Sequence, residues 1–275
     1  MTTPLLVVKI GGGEGIHLGP VLREIAEMIR SGTRIVLVHG GSHETNVLSE
    51  RLGHPPRFLT SPSGHTSRRT DRATLDIFNM VYCGKINTTI VEQLRGLGVD
   101  AVGLSGIDGG LWRGKRKDAI RAIEDGRTVI IRDDLTGTVD AVDTRLLRLL
   151  LDDARVPVLS PPAISHDGVA MNVDADRAAA KTAAALGAHE LLLLSNVPGV
   201  LRDPRDPASL IPTVSSIGID SVRKAAQGRM MNKVLAAEEA ILGGVARVVI
   251  GSANGETPIA SARSGSGTVF EGACA

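Results

Sequence analysis

Short apolar runs that end in glycine alternate along the chain with stretches of helical period. Leu5–Ile10 runs into Gly11-Gly12-Gly13, and Val21–Arg30 follows as an amphipathic helix. Arg34–Val38 runs into His39-Gly40-Gly41, and Glu44–Leu52 follows as a helix closed by Gly53. Asp71–Leu97 reads as one long helical region, bent near Cys83-Gly84. Ala101–Leu104, Val156–Ser160, Glu190–Ser195 and Ala246–Ile250 read as further strands, the last of them the final buried one. Leu146–Asp153, Asp174–Leu186, Ser221–Gln227 and Lys233–Leu242 read as helices. Val129–Arg132 and Gly137–Val142 are expected to pair as antiparallel strands around Asp133-Asp134. Nearly continuous apolar strands separated by helices predict an α/β fold, its mainly parallel sheet covered on both faces. Such sheets bind ligands beyond the carboxyl ends of their strands, where this chain keeps its glycines.

The 275 residues suit one large domain or two lobes sharing a sheet, at roughly 100–200 residues per domain. Ser165-His166-Asp167-Gly168 marks the expected boundary between an N-lobe at 1–168 and a C-lobe at 169–275. Lys and Arg total 31 against 30 Asp and Glu, so no global field draws the chain to nucleic acid or to a membrane. Aromatic residues, at 2%, argue against stacking platforms for single-stranded nucleic acid. No run approaches the roughly 20 apolar residues that span a bilayer. The opening MTTPLLVVKIGGG lacks the basic and apolar regions of a signal peptide. Cys83 and Cys274 fit no metal or redox spacing, and a reduced, cytoplasmic protein is expected.

Several phosphate motifs fail. Gly109–Arg116 nearly matches a P-loop, but Arg116 stands where the magnesium-binding Ser or Thr belongs and no strong strand leads in. No G-x-G-x-x-G follows a strand, and neither the protein-kinase motifs nor a G-x-S-x-G elbow occurs. Four clusters remain. The turns after Ile10 and His39 can each offer clustered N–H groups and a helix N-terminus to an anion. Lys9, one residue before the end of a buried strand, is poorly placed for solvent and should face a ligand. Asn172, Asp174 and Asp176 alternate ahead of an Ala-rich helix, where one carboxylate can serve as N-cap. Gln227–Lys233 reads as a basic helix start; a cation is disfavoured there and best tolerated where it serves an anion.

In this order, Lys9-x-Gly11-Gly12, His39-Gly40-Gly41, Asn172-x-Asp174-x-Asp176, Ser195-Asn196-Val197-Pro198-Gly199-Val200 and Gly228-x4-Lys233 resemble the blocks of the amino acid kinase family, especially acetylglutamate kinases. The resemblance covers about residues 5–270. Within the family, Thr60–Asp71, Gly103–Gly109 and Gly114–Lys117 are similar to segments of the LysW-aminoadipate kinases. Those enzymes phosphorylate the side-chain carboxylate of 2-aminoadipate while its amine is held by a small acidic carrier protein, LysW.

The resemblance implies a three-layer α/β/α sandwich, one domain over 1–275, whose N-lobe holds the acyl acceptor and whose C-lobe holds ATP with Mg2+. It implies catalytic roles for Lys9 and Lys233, with Asp176 holding both lysines. Gly40, Gly41, Ser42, Arg68, Asn172 and Asp174 would bind the acceptor, with Arg57 a second candidate for its α-carboxylate. Gly11, Gly12, Ser195, Asn196, Val197, Gly199, Gly228 and Met230 would meet the nucleotide. Acetylglutamate kinases usually carry Asp where this chain has Asn196, so no charged contact is expected there. Because Lys9 follows only eight residues, the chain is expected to lack the helical extension of arginine-sensitive hexamers and to form a homodimer.

The implied chemistry suits the residues. A carboxylate acceptor, with a reference pKa of about 4.3, is already ionised at neutral pH and needs no general base. Catalysis then reduces to positioning and charge neutralisation. Arg113, Lys115, Arg116 and Lys117, with Arg68, Arg69 and Arg72, read either as a solvated surface or as a docking patch for the acidic carrier. His39 and His43 are four apart, but Gly40-Gly41 between them prevents a shared helical face for zinc. His39 reads as structural or as a substrate-edge residue. Acetylglutamate or LysW-glutamate kinase activity in arginine biosynthesis is the alternative, distinguished by the Ser61–Arg68 loop and the 113–117 run. A non-catalytic binding protein on the same fold would be expected to lose Lys9, Asp176 or Lys233, and all three are present.

Overall fold

The apolar runs that end in glycine become the strands of one eight-stranded sheet. The computed structural model describes residues 4–272 apart from 63, 65, 125, 216–218, 220, 221, 224, 225 and 227. Most of the helix expected over Ser221–Gln227 lies outside the described residues, as do Ser63, His65 and Cys274.

In chain order the first elements are β1 (Leu5–Ile10), α1 (Leu18–Arg30), β2 (Arg34–His39), α2 (Ser42–Arg51), β3 (Phe58–Thr60), β4 (Thr66–Arg68), α3 (Arg72–Asn79), α4 (Thr88–Gly96) and β5 (Ala101–Ser105). There follow β6 (Trp112–Arg116), β7 (Ile120–Glu124), β8 (Arg127–Ile131), β9 (Gly137–Val142), α5 (Arg145–Asp152), β10 (Val156–Ser160), β11 (Ala163–Ser165) and β12 (Ala170–Met171). The remainder are α6 (Ala175–Leu186), β13 (Glu190–Ser195), β14 (Thr213–Val214), α7 (Arg229–Leu242), β15 (Arg247–Ser252), α8 (Pro258–Ser261) and β16 (Thr268–Glu271).

The main sheet runs β14-β16-β15-β13-β1-β2-β10-β5. Its pairs are parallel except for β15 with β16. On one face α1, α4 and α8 pack over Leu6, Val8 and Ile10 of β1. On the other, α5, α6 and α7 pack over Leu5 and Val7. This is the three-layer α/β/α sandwich. Period-two alternation puts Lys9 on the Leu5–Val7 face, beneath α6.

Three local readings change, and the rejection of a P-loop holds. Val129–Arg132 and Gly137–Val142 do not pair with each other: β8 pairs with β7, and β9 pairs with β6 in a second sheet ordered β12-β11-β6-β9. The residues between them make no hairpin turn, because the Asp134 carboxylate is drawn inward to accept the amides of Thr70 and Thr136. The helix carrying Lys233 starts at Arg229, after Gly228 at a φ of 53°, so Lys233 lies a full turn inside it. A further buried strand, β16, follows β15 antiparallel. Gly109–Arg116 forms no phosphate loop: a short turn leads into β6, where buried Trp112 donates its indole N–H to Thr182 Oγ1 at 2.9 Å.

The bend expected at Cys83-Gly84 is a π-helical stretch, Met80–Asn87, between α3 and α4. It turns Asn87 inward to donate to Val158 O at 2.9 Å and to meet His39 Nε2 at 3.1 Å. Gly103 is needed alongside, since a Cβ there would sit 2.0 Å from Asn87 Oδ1. Ser165–Gly168 is the tight turn joining β11 to β12, closed by Gly168 N donating to Ser165 O at 3.0 Å.

His39 is structural and neutral. Its Nδ1 lies 3.1 Å from Gly40 O and its Nε2 meets the Asn87 amide, an arrangement a ring carrying one proton on Nδ1 satisfies. Burial pushes its pKa from 6.5 down to about 4. Between those values the unfolded chain binds the extra proton, so this contribution is full above pH 6.5 and is lost as pH falls toward 4. The expected loss is about 3 kcal/mol. Urea unfolding against pH should show a steeper slope for the native protein than for His39→Asn, by about one proton across that window; parallel slopes would refute the assignment.

Candidate active site

Three buried charges from three elements meet above the carboxyl end of β1. Lys9 Nζ pairs with Asp176 Oδ1 at 2.6 Å, and Lys233 Nζ donates to Asp176 Oδ2 at 2.7 Å. Exposure is 5% for Lys9, 5% for Asp176 and 8% for Lys233. Burial acts to raise the Asp176 pKa, but Lys233 and Lys9 outweigh it and hold the carboxyl below the usual carboxylate range. Burial lowers the Lys9 pKa despite the attraction of Asp176, and the neighbouring Lys233 lowers it further. Two ammonium groups sharing one carboxylate leave one positive charge in excess. In a desolvated pocket that excess is a strong anion site.

Asp174 stands just outside this triad and joins the two helices that carry it. Its Oδ1 accepts the Arg177 amide at 3.0 Å as N-cap of α6, and its Oδ2 accepts from Asn232 Nδ2 of α7 at 2.8 Å. Burial, reinforced by the adjacent Asp176, raises its pKa. Arg177 and Glu239 add a second tie between α6 and α7.

The glycine turns interlock beneath these lysines. A Cβ on Gly12 would lie 1.9 Å from Gly41 N, and one on Gly40 would lie 2.8 Å from Gly12 N. Gly12 O accepts from Ser42 Oγ at 3.0 Å and from His43 N at 2.8 Å. The requirement is close approach of two backbones.

These groups open into one cleft of about 670 Å³. The residues nominated from the sequence line it, except Arg57 and Gly199, the latter packed against Thr268 and Leu210. At one end, Arg68 Nη2 donates to Ser42 O at 3.2 Å and to Asn46 Oδ1, with its guanidinium 5.3 Å above the Phe58 ring. Its Nη1 is buried without a hydrogen-bond partner among the described residues. Asn172 Nδ2 donates to Thr70 Oγ1 at 3.1 Å. At the other end, Ser195 closes β13 with a buried hydroxyl that has no partner among the described residues, beside Asn196, Val197, Gly228 and Met230.

Arg57 does not line this cleft; it lies in a second groove of about 500 Å³ with Arg69 and Arg132. The basic run divides. Arg113 and Lys115 are exposed on β6, Arg116 donates to Asp134 O at 3.3 Å, and Lys117 lines the cleft. Sequence reading assigned no role to Asn46, Thr136, Arg229 or Asn232, which also contribute here. Asn46 stands four residues after Ser42 and Arg229 four before Lys233, a helical spacing that could have revealed both. Thr136 carried no such signal.

Close approach makes a clear prediction. Gly12→Ala should lower turnover at least about 100-fold, the scale of a misplacement near 1 Å. Gly13→Ala, whose Cβ would find nothing nearer than 3.8 Å, should stay near the native rate. Equal losses in steady-state assays of both variants would contradict this reading of the turn.

The amino acid kinase family is matched over residues 4–252. The chain is 56% identical over 265 residues to a LysW-aminoadipate kinase of Deinococcus radiodurans, covering 96% of this chain and 91% of that protein. It is 49% identical over 267 residues to the LysW-aminoadipate kinase of Thermus thermophilus, covering 96% and 99%. Among solved structures, carbamate kinase from Giardia lamblia bound to AMP-PNP superposes with a TM-score of 0.68, covering 98% of this chain and 99% of that one. At 16% identity that likeness shows the fold alone. The fold, the ordered motifs and these matches agree: the chain belongs to the amino acid kinase family.

Proposed function

We propose that the protein transfers the γ-phosphoryl group of ATP to the side-chain carboxylate of L-2-aminoadipate held through its amine by a LysW-type carrier. The observation that carries this reading is the buried Lys9–Asp176–Lys233 triad, with one positive charge in excess, set above two interlocked glycine turns. A carboxylate oxygen attacks the γ-phosphorus, and the bond from that phosphorus to the ADP oxygen breaks. Lys9 and Lys233 neutralise charge on the transferring group, and Asp176 keeps both in register. Gly40, Gly41 and Ser42 orient the reacting carboxylate. Arg68, with its unpartnered Nη1, and Asn172 hold the α-carboxylate.

In this reading residues 1–168 hold the acceptor, with Asn172 reaching it from the second lobe, and 169–275 hold the nucleotide. Ser195, Asn196, Val197, Gly228 and Met230 border the space for ATP, together with Gly11 and Gly12. Mg2+ would be held mainly by the phosphate oxygens of the nucleotide and would supply further charge neutralisation; Asp174, the cleft carboxylate not paired with a lysine, is the residue that would face it, on the acceptor side of the transfer. The carrier reading is supported by the names of the relatives in Deinococcus radiodurans and Thermus thermophilus. It is supported also by the cations at the acceptor mouth, Arg68, Lys117 and Arg229, which suit an acidic partner. A cytoplasmic homodimer completes the proposal on the family resemblance. No helix among the described residues is long and apolar enough to cross a membrane.

Acyl phosphate trapped as hydroxamate, with three acceptors side by side, tests the proposal. Turnover is expected on carrier-linked aminoadipate and not on free N-acetylglutamate or free N-acetylaminoadipate. Equal or better turnover on free N-acetylglutamate would overturn it and place the activity in arginine biosynthesis.

A further inference from the structure

Asp134 is a buried carboxylate that phosphoryl transfer does not use. It is 1% exposed, and no lysine or arginine side chain pairs with its carboxylate among the described residues. Each oxygen accepts a backbone amide instead: Oδ2 from Thr70 N and Oδ1 from Thr136 N, both at 2.9 Å. The Thr70 side chain is equally hidden, with the residue 0% exposed. Its single hydroxyl proton goes to Arg68 O at 3.3 Å, so Oγ1 can only accept from Asn172 Nδ2 at 3.1 Å. That order of donation fixes which end of the Asn172 amide faces Thr70 and leaves the second Nδ2 proton available as a donor.

Backbone bonds close the arrangement. Leu135 N donates to Thr70 O at 2.7 Å, Asn172 N to Leu135 O at 2.8 Å, and Gly137 N to Asn172 O at 2.9 Å. Segments 68–70, 134–137 and 172, remote in sequence, are thereby tied around one carboxylate. Each contributes a residue to the cleft wall: Arg68, Thr136 and Asn172. Asp134 and Thr70 do not line the cleft themselves. A carboxylate buried without a cation is costly, and an apolar residue would serve packing better. Its return here is geometric, because a two-acceptor group fixes two amides at once.

We propose that Asp134 and Thr70 are positioning residues for the acceptor, setting the relative placement of the Arg68 guanidinium and the Asn172 amide. They govern acceptor affinity and leave nucleotide binding to the opposite end of the cleft. The inference rests on the reading that Arg68 and Asn172 hold the acceptor.

The test compares the native enzyme with Thr70→Val, Thr70→Ser, Asp134→Asn and Arg68→Ala, on whichever acceptor the native enzyme turns over. Thr70→Val keeps the buried shape and removes the hydroxyl. It and Asp134→Asn should raise acceptor KM at least about tenfold with ATP KM within about twofold, while Thr70→Ser restores the native value. Adding Arg68→Ala to Thr70→Val should cost less than the product of the single effects. Should Asp134→Asn fail to fold, Thr70→Val decides. A folded Thr70→Val enzyme with native acceptor KM, or with both KM values raised alike, would overturn the proposal. An unchanged acceptor KM in Arg68→Ala would overturn the acceptor-side reading and this inference with it. A native preference for free N-acetylglutamate would defeat only the carrier reading.

Discussion

One carboxylate holds two lysines that the sequence keeps 224 positions apart. Asp176 accepts Lys9 from the central strand and Lys233 from α7, and the rest of the site depends on that shared contact. Burying three charges is expensive, and the attraction within such a group returns the cost only with good geometry. The fold supplies that geometry from rigid elements. β1 is hydrogen-bonded on both sides, to β2 and β13, so Lys9 has little freedom to shift. α6 and α7 are tied to each other by Asp174 with Asn232 and by Arg177 with Glu239. The unbalanced positive charge that results is what an incoming phosphate would neutralise.

The same logic of fixed backbones extends to the side of the cleft proposed to hold the acceptor. Gly12 and Gly41 approach more closely than any Cβ would permit, bringing the turns after β1 and β2 together beneath the lysines. The wall opposite is built from three distant segments joined around Asp134. Strands and helices carry the charged groups, and turns held by defined hydrogen bonds carry the residues proposed to contact the acceptor. Positioning of that kind is most of what phosphoryl transfer asks of a protein.

Much of this was legible in the sequence, for physical reasons. Buried parallel strands read as continuous apolar runs, so β1, β2, β10, β13 and β15 were found, and Lys9 stood out as a charge inside one of them. The stretch from Trp112 to Val142 was misread because its strands are short and half-exposed, and adjacency favoured a hairpin that the inward pull of Asp134 prevents. Periodicity starts the last long helix at Lys233, four residues late, because the basic segment Gln227–Lys233 has no apolar period of its own, whereas Gly228, at a positive φ, lets α7 begin at Arg229. Asn46 and Arg229 were recoverable from spacing alone. Thr70, Asp134 and Thr136 act through contacts between remote segments, and no local pattern announces those.

The most direct test of the central claim is turnover of Asp176→Asn, with ATP binding followed by calorimetry on the same preparation. If one shared carboxylate sets both lysines for transfer, kcat should fall at least about 100-fold, the scale of losing a preorganised electrostatic contact, while ATP still binds. Turnover close to that of the native enzyme would contradict the account, because the lysines would then need no common carboxylate to act.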